Sequence, residues 1–319
     1  MAAVRSSLRS LGVSNAAIGF VRDSHRAGTR QVYQAKWANW LRWCEDQRVD
    51  PLRPHVVQLA NFLARLGEQG LTASTLKGYR SAIQTTLKQL GGRVRRSSDR
   101  PALVSDVLKG VAVRDARSPR RLPLWDLFLV LESLREAPFE PLAQAPKSLL
   151  TLKTVFLVTL ACARRSSEVH GLSGLPADIA FESDGSVSLR FLPDFRAKNQ
   201  RDSEFSPEIS IPSLSAVLAP DDADRLLCPV RALRFYLSIT KSTRAPGQRR
   251  LFLSFNTNYK RDIKVSTISR WLARVVKMAY ERAHQNAPST RAHELRALAA
   301  SMENFILNFL LTSILTLPD

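Results

Sequence analysis

Residues 148–163 constrain the fold more than any other segment, because nearly every one is apolar or Thr. The length suits a helix better than a strand. A surface helix would carry a polar face, and this one has none, so the segment predicts a helix buried on all sides. It falls short of the roughly 18 apolar residues of a membrane span, and no other stretch of the chain reaches that length either.

The chain has 319 residues, a length that suggests two domains and ample buried core. It is 45% hydrophobic and 24% charged, which is a folding composition and not a disordered one. The N-terminus lacks a continuous apolar stretch of signal-peptide length, so secreted and membrane-spanning classes are not expected. Cys44, Cys162 and Cys228 lie far apart, with no CxxC pair and no His at zinc spacing. That argues against a disulfide scaffold and a structural metal, and fits a reducing compartment. The net charge of +19 asks for an anionic partner, and nucleic acid is the common one.

The charge is uneven. Residues 1–120 hold 21 basic and 8 acidic side chains, against 26 and 20 in the remainder. The densest runs are 93–100, with Arg93, Arg95 and Arg96, and 114–121, with Arg117, Arg120 and Arg121. The bland reading is two solvated loops; the functional one is phosphate contact. A Pro in the second run marks residues 114–121 as a basic linker between domains.

The first domain, over residues 28–113 behind an N-terminal extension expected to be helical, reads as helical throughout. Apolar stripes recur at helical spacing: Tyr33, Trp37, Trp40, Leu41, Cys44; then Val56, Leu59, Ala60, Leu63, Leu66; then Leu76, Tyr79, Ile83, Leu87, Leu90; then Leu103 to Val111. Thr72 or Ser74 suits the third N-cap, and Gly91-Gly92 its stop. Trp37, Trp40 and Trp43 would serve as a stacking platform for bases, but Trp37 and Trp40 share their stripe with Leu41 and read better as core. Lys77 and Arg80 are three apart on the third helix and share a face that suits a DNA groove.

The second domain, 122–302, is mixed. Residues 179–181 and 187–192 read as a hairpin with Asp184-Gly185 in its turn, and 208–212 as a third strand. The polar turn between the second and third strands carries Arg196, Lys198 and Arg201. Helices are expected at 229–239, 266–282 and 293–302. No Walker A loop or GxGxxG occurs, and no repeat is evident.

The informative order is Arg164-Arg165-Ser-Ser-Glu168 after the buried helix, Lys198 in the turn, and His293-Glu-Leu-Arg296 opening a late helix. His and Arg three apart face one side of a helix and both reach one phosphate. Each motif alone is weak. In this order, after a basic helical domain, the arrangement resembles the tyrosine recombinase (phage integrase-like) family over roughly residues 28–302. Residues 228–237, 251–255 and 291–301 are similar to recombinases of eukaryotic DIRS-group retrotransposons.

The resemblance implies a mainly α protein: a helical, SAM-like core-binding bundle followed by an α+β catalytic domain with a small antiparallel sheet. It implies duplex DNA as the partner and allows a homo-oligomer assembled on it. It implies the nucleus for a eukaryotic member, and cytoplasm or nucleoid for a bacterial one. No metal or nucleotide cofactor is implied. Family chemistry transfers a phosphodiester to a tyrosine and then to a DNA 5′-hydroxyl. By resemblance Arg165 and Arg296 hold the doubly negative transition state, which suits their planar forks. Lys198 corresponds to the general acid, and a lysine serves there if its pKa falls from about 10.4. His293 bonds the phosphate or takes the tyrosine proton. Glu168 is expected to be structural.

One departure stands out. Family members carry a second His or Trp and then the nucleophilic Tyr after the H-x-x-R helix. Here Tyr33, Tyr79, Tyr236, Tyr259 and Tyr280 all precede His293, and 23 residues follow Arg296. Residues 303–319 contain no Lys or Arg, in a chain where about one residue in seven is basic. Family-like sequence is expected to stop near Ser301 or Met302. Three readings remain open: an active recombinase with its nucleophile from elsewhere, a DNA-binding remnant that retains the phosphate ligands, and an unrelated basic helical nucleic-acid-packaging protein.

Overall fold

A computed structural model describes residues 9–10, 12–23, 27–95, 102–114, 123–197, 208–214, 218–219, 222–257 and 261–300. The chain divides into two compact units, Met1–Pro119 and Arg120–Asp319. It is mainly helical, with one small antiparallel sheet.

The first unit holds helices α1 (Asn15–Asp23), α2 (Ala27–Asp46), α3 (Val56–Glu68), α4 (Ala73–Gln89) and α5 (Leu103–Arg114). The α3 stripe is buried at every position, from Val56 to Leu66. His55 caps this helix: its Nδ1 accepts from the Val57 N–H at 3.3 Å, and Gln58 Oε1 accepts from the His55 N–H at 2.7 Å. Thr72 caps α4, its hydroxyl accepting from the Thr75 N–H. Gly91, at φ +71°, reverses the chain after that helix. A Cβ on Gly92 would stand 2.5 Å from the Leu52 carbonyl oxygen, so the chain passes there only because the side chain is missing.

The stacking platform is not formed. Trp37, Trp40 and Trp43 are all buried. Trp40 and Trp43 stack at 5.3 Å, with Phe62 edge-on to Trp40 at 5.1 Å. These rings are core, Trp43 included, three residues after Trp40 on the same helix. Leu41 departs from the stripe and is exposed.

The second unit is built around α7 (Lys147–Cys162), buried at every position from Leu150 to Thr159, as its mostly apolar pattern predicts. Helices α6 (Leu127–Arg135), α9 (Pro229–Lys241), α10 (Val265–Arg282) and the short α8 (Ser166–Gly171) complete the unit, with a final helix, α11, over 292–300. The strands β1 (Ile179–Phe181), β2 (Val187–Arg190) and β3 (Glu208–Ile211) pair antiparallel in that order. Val187 faces Phe181 on one side and Ile211 on the other. Val187, Leu189, Ile209 and Ile211 are buried against the core, and the alternate residues face away. The second strand ends at Arg190, two residues short of expectation, because Phe191 turns aside to bridge Leu172. None of the described helices is long and apolar enough to cross a membrane.

Candidate phosphate site

Helix α7 ends in a turn that a non-glycine residue rarely makes. Ala163 sits at φ +48°, ψ +26°, in the left-handed region. There an L side chain costs about 1–2 kcal/mol. The turn swings the chain so that Arg165 becomes the N-cap of α8. Glu168, buried, grips Arg165 twice: Oε1 accepts from the Arg165 guanidinium at 2.9 Å, and Oε2 from its backbone N–H at 3.3 Å. Glu168 is thus a positioning residue for Arg165, as its place three residues on suggests.

From the other end of the unit, Arg296 on α11 donates from Nε to the Ala163 carbonyl at 3.1 Å. Two arginines 131 positions apart therefore meet at one turn. His293 opens α11 and is exposed. Its neighbour Glu294 is buried, and Oε2 accepts from the Arg291 N–H at 3.0 Å and from Trp125 Nε1 at 3.2 Å. The first bond caps α11; the second ties it to the segment that precedes α6.

The β2–β3 connection also starts at α8. The Leu192 N–H donates to the Gly171 carbonyl at 2.9 Å. Phe195 stacks on Phe191 at 5.0 Å, and its ring lies where a Cβ on Gly171 would stand 2.3 Å from it. Arg196, exposed, comes next. Lys198 and Arg201 lie outside the described residues, as do Arg96, Arg117, Arg120, Arg121 and the linker over 115–121. So Arg296 reaches the turn that precedes Arg165 at the start of α8, and the β2–β3 connection packs against Gly171 at the other end of that helix.

The remaining DNA-contact candidates lie in the first unit. Lys77 is exposed and Arg80 half-buried on α4. Arg93 and Arg95 are exposed on a strap pinned by its backbone: Arg93 N–H to the Leu52 carbonyl at 3.0 Å, Arg95 N–H to the Pro54 carbonyl at 2.8 Å, and Val56 N–H to the Arg95 carbonyl at 2.9 Å. Fixed backbone lets both side chains project without loss of order at each contact.

Each described tyrosine hydroxyl is hydrogen-bonded away from the arginine turn. The Tyr280 hydroxyl accepts from the Asp126 N–H at 2.8 Å and is buried. The Tyr236 hydroxyl accepts from the Leu253 N–H at 3.0 Å, fully inside the core. Tyr33 pairs with Ser81 and Tyr79 accepts from Asn39. Cys162 is the nearest thiol in sequence, but burial pushes it up to about 11, which keeps it protonated and inert. Among the described residues no group of three or more His, Cys, Asp or Glu side chains is arranged to hold a metal ion.

A cluster that sequence reading missed lies inside the second unit. Lys153, in the middle of the apolar run, is fully buried. Its ammonium donates to Glu140 Oε1 at 2.5 Å and to the Leu134 carbonyl at 2.7 Å. Arg231 on α9 holds both oxygens of the same carboxylate, at 2.6 and 2.9 Å. A lone Lys in an apolar helix was the available signal, since a buried lysine demands a partner.

The left-handed Ala163 makes a testable point. Ala163→Gly is expected to raise the urea midpoint, by about 1 kcal/mol in unfolding free energy, because glycine pays no steric penalty there. A lower midpoint would mean that the methyl group's packing outweighs the strain.

No family model matches the chain, and no curated protein matches it.

Proposed function

We propose that this chain binds duplex DNA as a tyrosine recombinase does, with Arg165 and Arg296 gripping one backbone phosphate. The observation that carries the reading is the Arg296–Ala163 bond, which brings the second arginine to the turn that presents the first. In this reading the first unit is the core-binding bundle, and Lys77, Arg80, Arg93 and Arg95 contact phosphates. The second unit is the catalytic domain. Two guanidiniums at one turn suit a phosphate because each supplies a planar pair of donors. His293 and Lys198 complete the set by resemblance. The phenols of the described tyrosines, Tyr33, Tyr79, Tyr236 and Tyr280, are committed elsewhere, and Tyr259 lies outside the described residues; in this reading these residues bind DNA without forming a phosphotyrosyl bond.

Three measurements test this. Affinity for a duplex of about 30 base pairs should fall steeply with salt, with a log–log slope of about 0.9 per phosphate neutralised. Arg165→Ala should weaken binding about tenfold while the urea midpoint reports any loss of fold. A suicide duplex nicked near the cleavage point should give no covalent band on a denaturing gel. Flat salt dependence defeats the DNA reading; a covalent band lost in Tyr280→Phe makes Tyr280 the nucleophile.

A further inference from the structure

A groove away from the arginine turn runs along α9 (Pro229–Lys241). It has a volume of about 630 Å³ and is open to solvent. That volume is within the range of ligand sites, roughly 300–1,000 Å³. One helix face forms its floor, with Arg231, Arg234, Phe235 and Ser238 in it; Leu142 and Ser213 line the sides.

Among the described residues no carboxylate lines this groove. Glu140 stands behind it, but its oxygens are fully used: Oε1 by Lys153 and Arg231, Oε2 by Arg231 and the Leu142 N–H. One carboxylate therefore serves two cations, which leaves a positive charge in excess, and Arg231 is the member that reaches the surface, with its side chain 34% exposed. Arg234 adds a second. Its guanidinium lies over the Phe181 ring at 4.0 Å, and it makes no hydrogen bond among the described residues. An arginine held on an aromatic face has its fork oriented in advance, so pairing with an anion costs little further order. The hairpin turn carries two exposed carboxylates, Glu182 and Asp184, and Asp184 Oδ1 accepts from the Ser186 N–H at 2.9 Å.

We propose that this groove docks a short acidic segment of a partner protein. A Glu or Asp carboxylate of that segment pairs with Arg234, and an apolar side chain beside it sits on Phe235 and Leu142. From Val230 to Ser238 the floor runs about 12 Å at about 1.5 Å per residue. An extended peptide covers that with about four residues. The open shape favours a peptide over a small molecule, which sites of this volume normally enclose. The proposal does not rest on the DNA reading.

The test is fluorescence anisotropy with the full 319-residue chain and a labelled peptide in which two glutamates flank a leucine–phenylalanine pair. Saturable binding is expected, weakened at least tenfold by Arg234→Glu and by Ser238→Glu, both at exposed positions that do not threaten the fold. The same peptide with glutamines in place of glutamates should bind at least tenfold more weakly. Equal binding of the two peptides, an unchanged affinity in Arg234→Glu, or no saturation into the millimolar range overturns the proposal. So does displacement of the peptide by duplex DNA accompanied by weakened DNA binding in Arg234→Glu, which would make the groove a nucleic-acid surface.

Discussion

Glu140→Gln should lower the unfolding free energy of the chain by about 3–5 kcal/mol, the usual cost of stranding a buried charge. Lys153 is fully buried and Arg231 half-buried, and the carboxylate between them is their shared counter-ion. Without it, two like charges face each other across a site from which water is excluded. Lys153→Met should be much milder. It removes the desolvated ammonium and leaves the two-point Arg231–Glu140 pair intact in an apolar surround. The pH dependence has a definite sign. Burial pushes the Glu140 carboxyl up, but the hydrogen bonds and charges of Arg231 and Lys153 outweigh it and hold it below its ordinary value. At Lys153 burial dominates and lowers the ammonium's pKa, because Glu140 is shared and Arg231 repels. A carboxyl depressed in the folded state stabilises above its unfolded pKa, about 4.3, and that stability is lost as pH falls through the lower folded value. Urea midpoints measured from pH 7 down to pH 3 should therefore drop in the wild type and less steeply in Glu140→Gln. Parallel curves, or a neutral Glu140→Gln, would show that the cluster contributes little.

The second large effect is expected at Trp125. Trp125→Ala should cost about 3–5 kcal/mol, the range for deleting a buried aromatic side chain. Part of that cost is polar. Glu294 Oε2 loses one of the two donors it accepts from, inside the protein, and the cap of α11 weakens with it. Trp125→Phe isolates that part, since it keeps most of the ring and deletes the Nε1–H. Its cost should be about 1–3 kcal/mol, the penalty of a buried acceptor left short of a partner. The two contributions separate in a double-mutant cycle with Glu294→Gln. Additivity of Trp125→Phe and Glu294→Gln would mean that the 3.2 Å contact carries no coupling.

How much of this was legible in the sequence depends on the range of the interaction. The α3 stripe and the Thr72 cap are set by residues three or four apart, and spacing alone reveals them. The buried α7 is legible because a helix with no polar face has only one place to be. The sheet was legible through the Asp184-Gly185 turn, with an error of two residues where a long-range bridge from Phe191 to Leu172 ends β2. Lys153 was not, because its partners Glu140 and Arg231 lie 13 and 78 positions away, in a loop and another helix. The burial of Trp43 rests on Trp40, three residues earlier and stacked on it, and on Phe62 of another helix, which spacing alone does not reveal. At the arginine turn, sequence order supplied Arg165 and Arg296, but not what joins them: the left-handed Ala163, whose carbonyl receives Arg296, and Gly171, whose bare Cα lets Phe195 bring the β2–β3 connection onto α8.

The bonds at Trp125 and Asp126 also determine how the second unit bears load. Its first described residues are fastened to its last described helices: Trp125 to Glu294 at the head of α11, and Asp126 to the Tyr280 phenol near the end of α10. Load applied upstream of residue 123 meets both links in parallel with the backbone: Trp125 passes it to α11, the helix that carries His293 and Arg296, and Asp126 passes it to α10. Of the two, the Trp125–Glu294 bond is the one that couples such a load to the arginine-bearing helix.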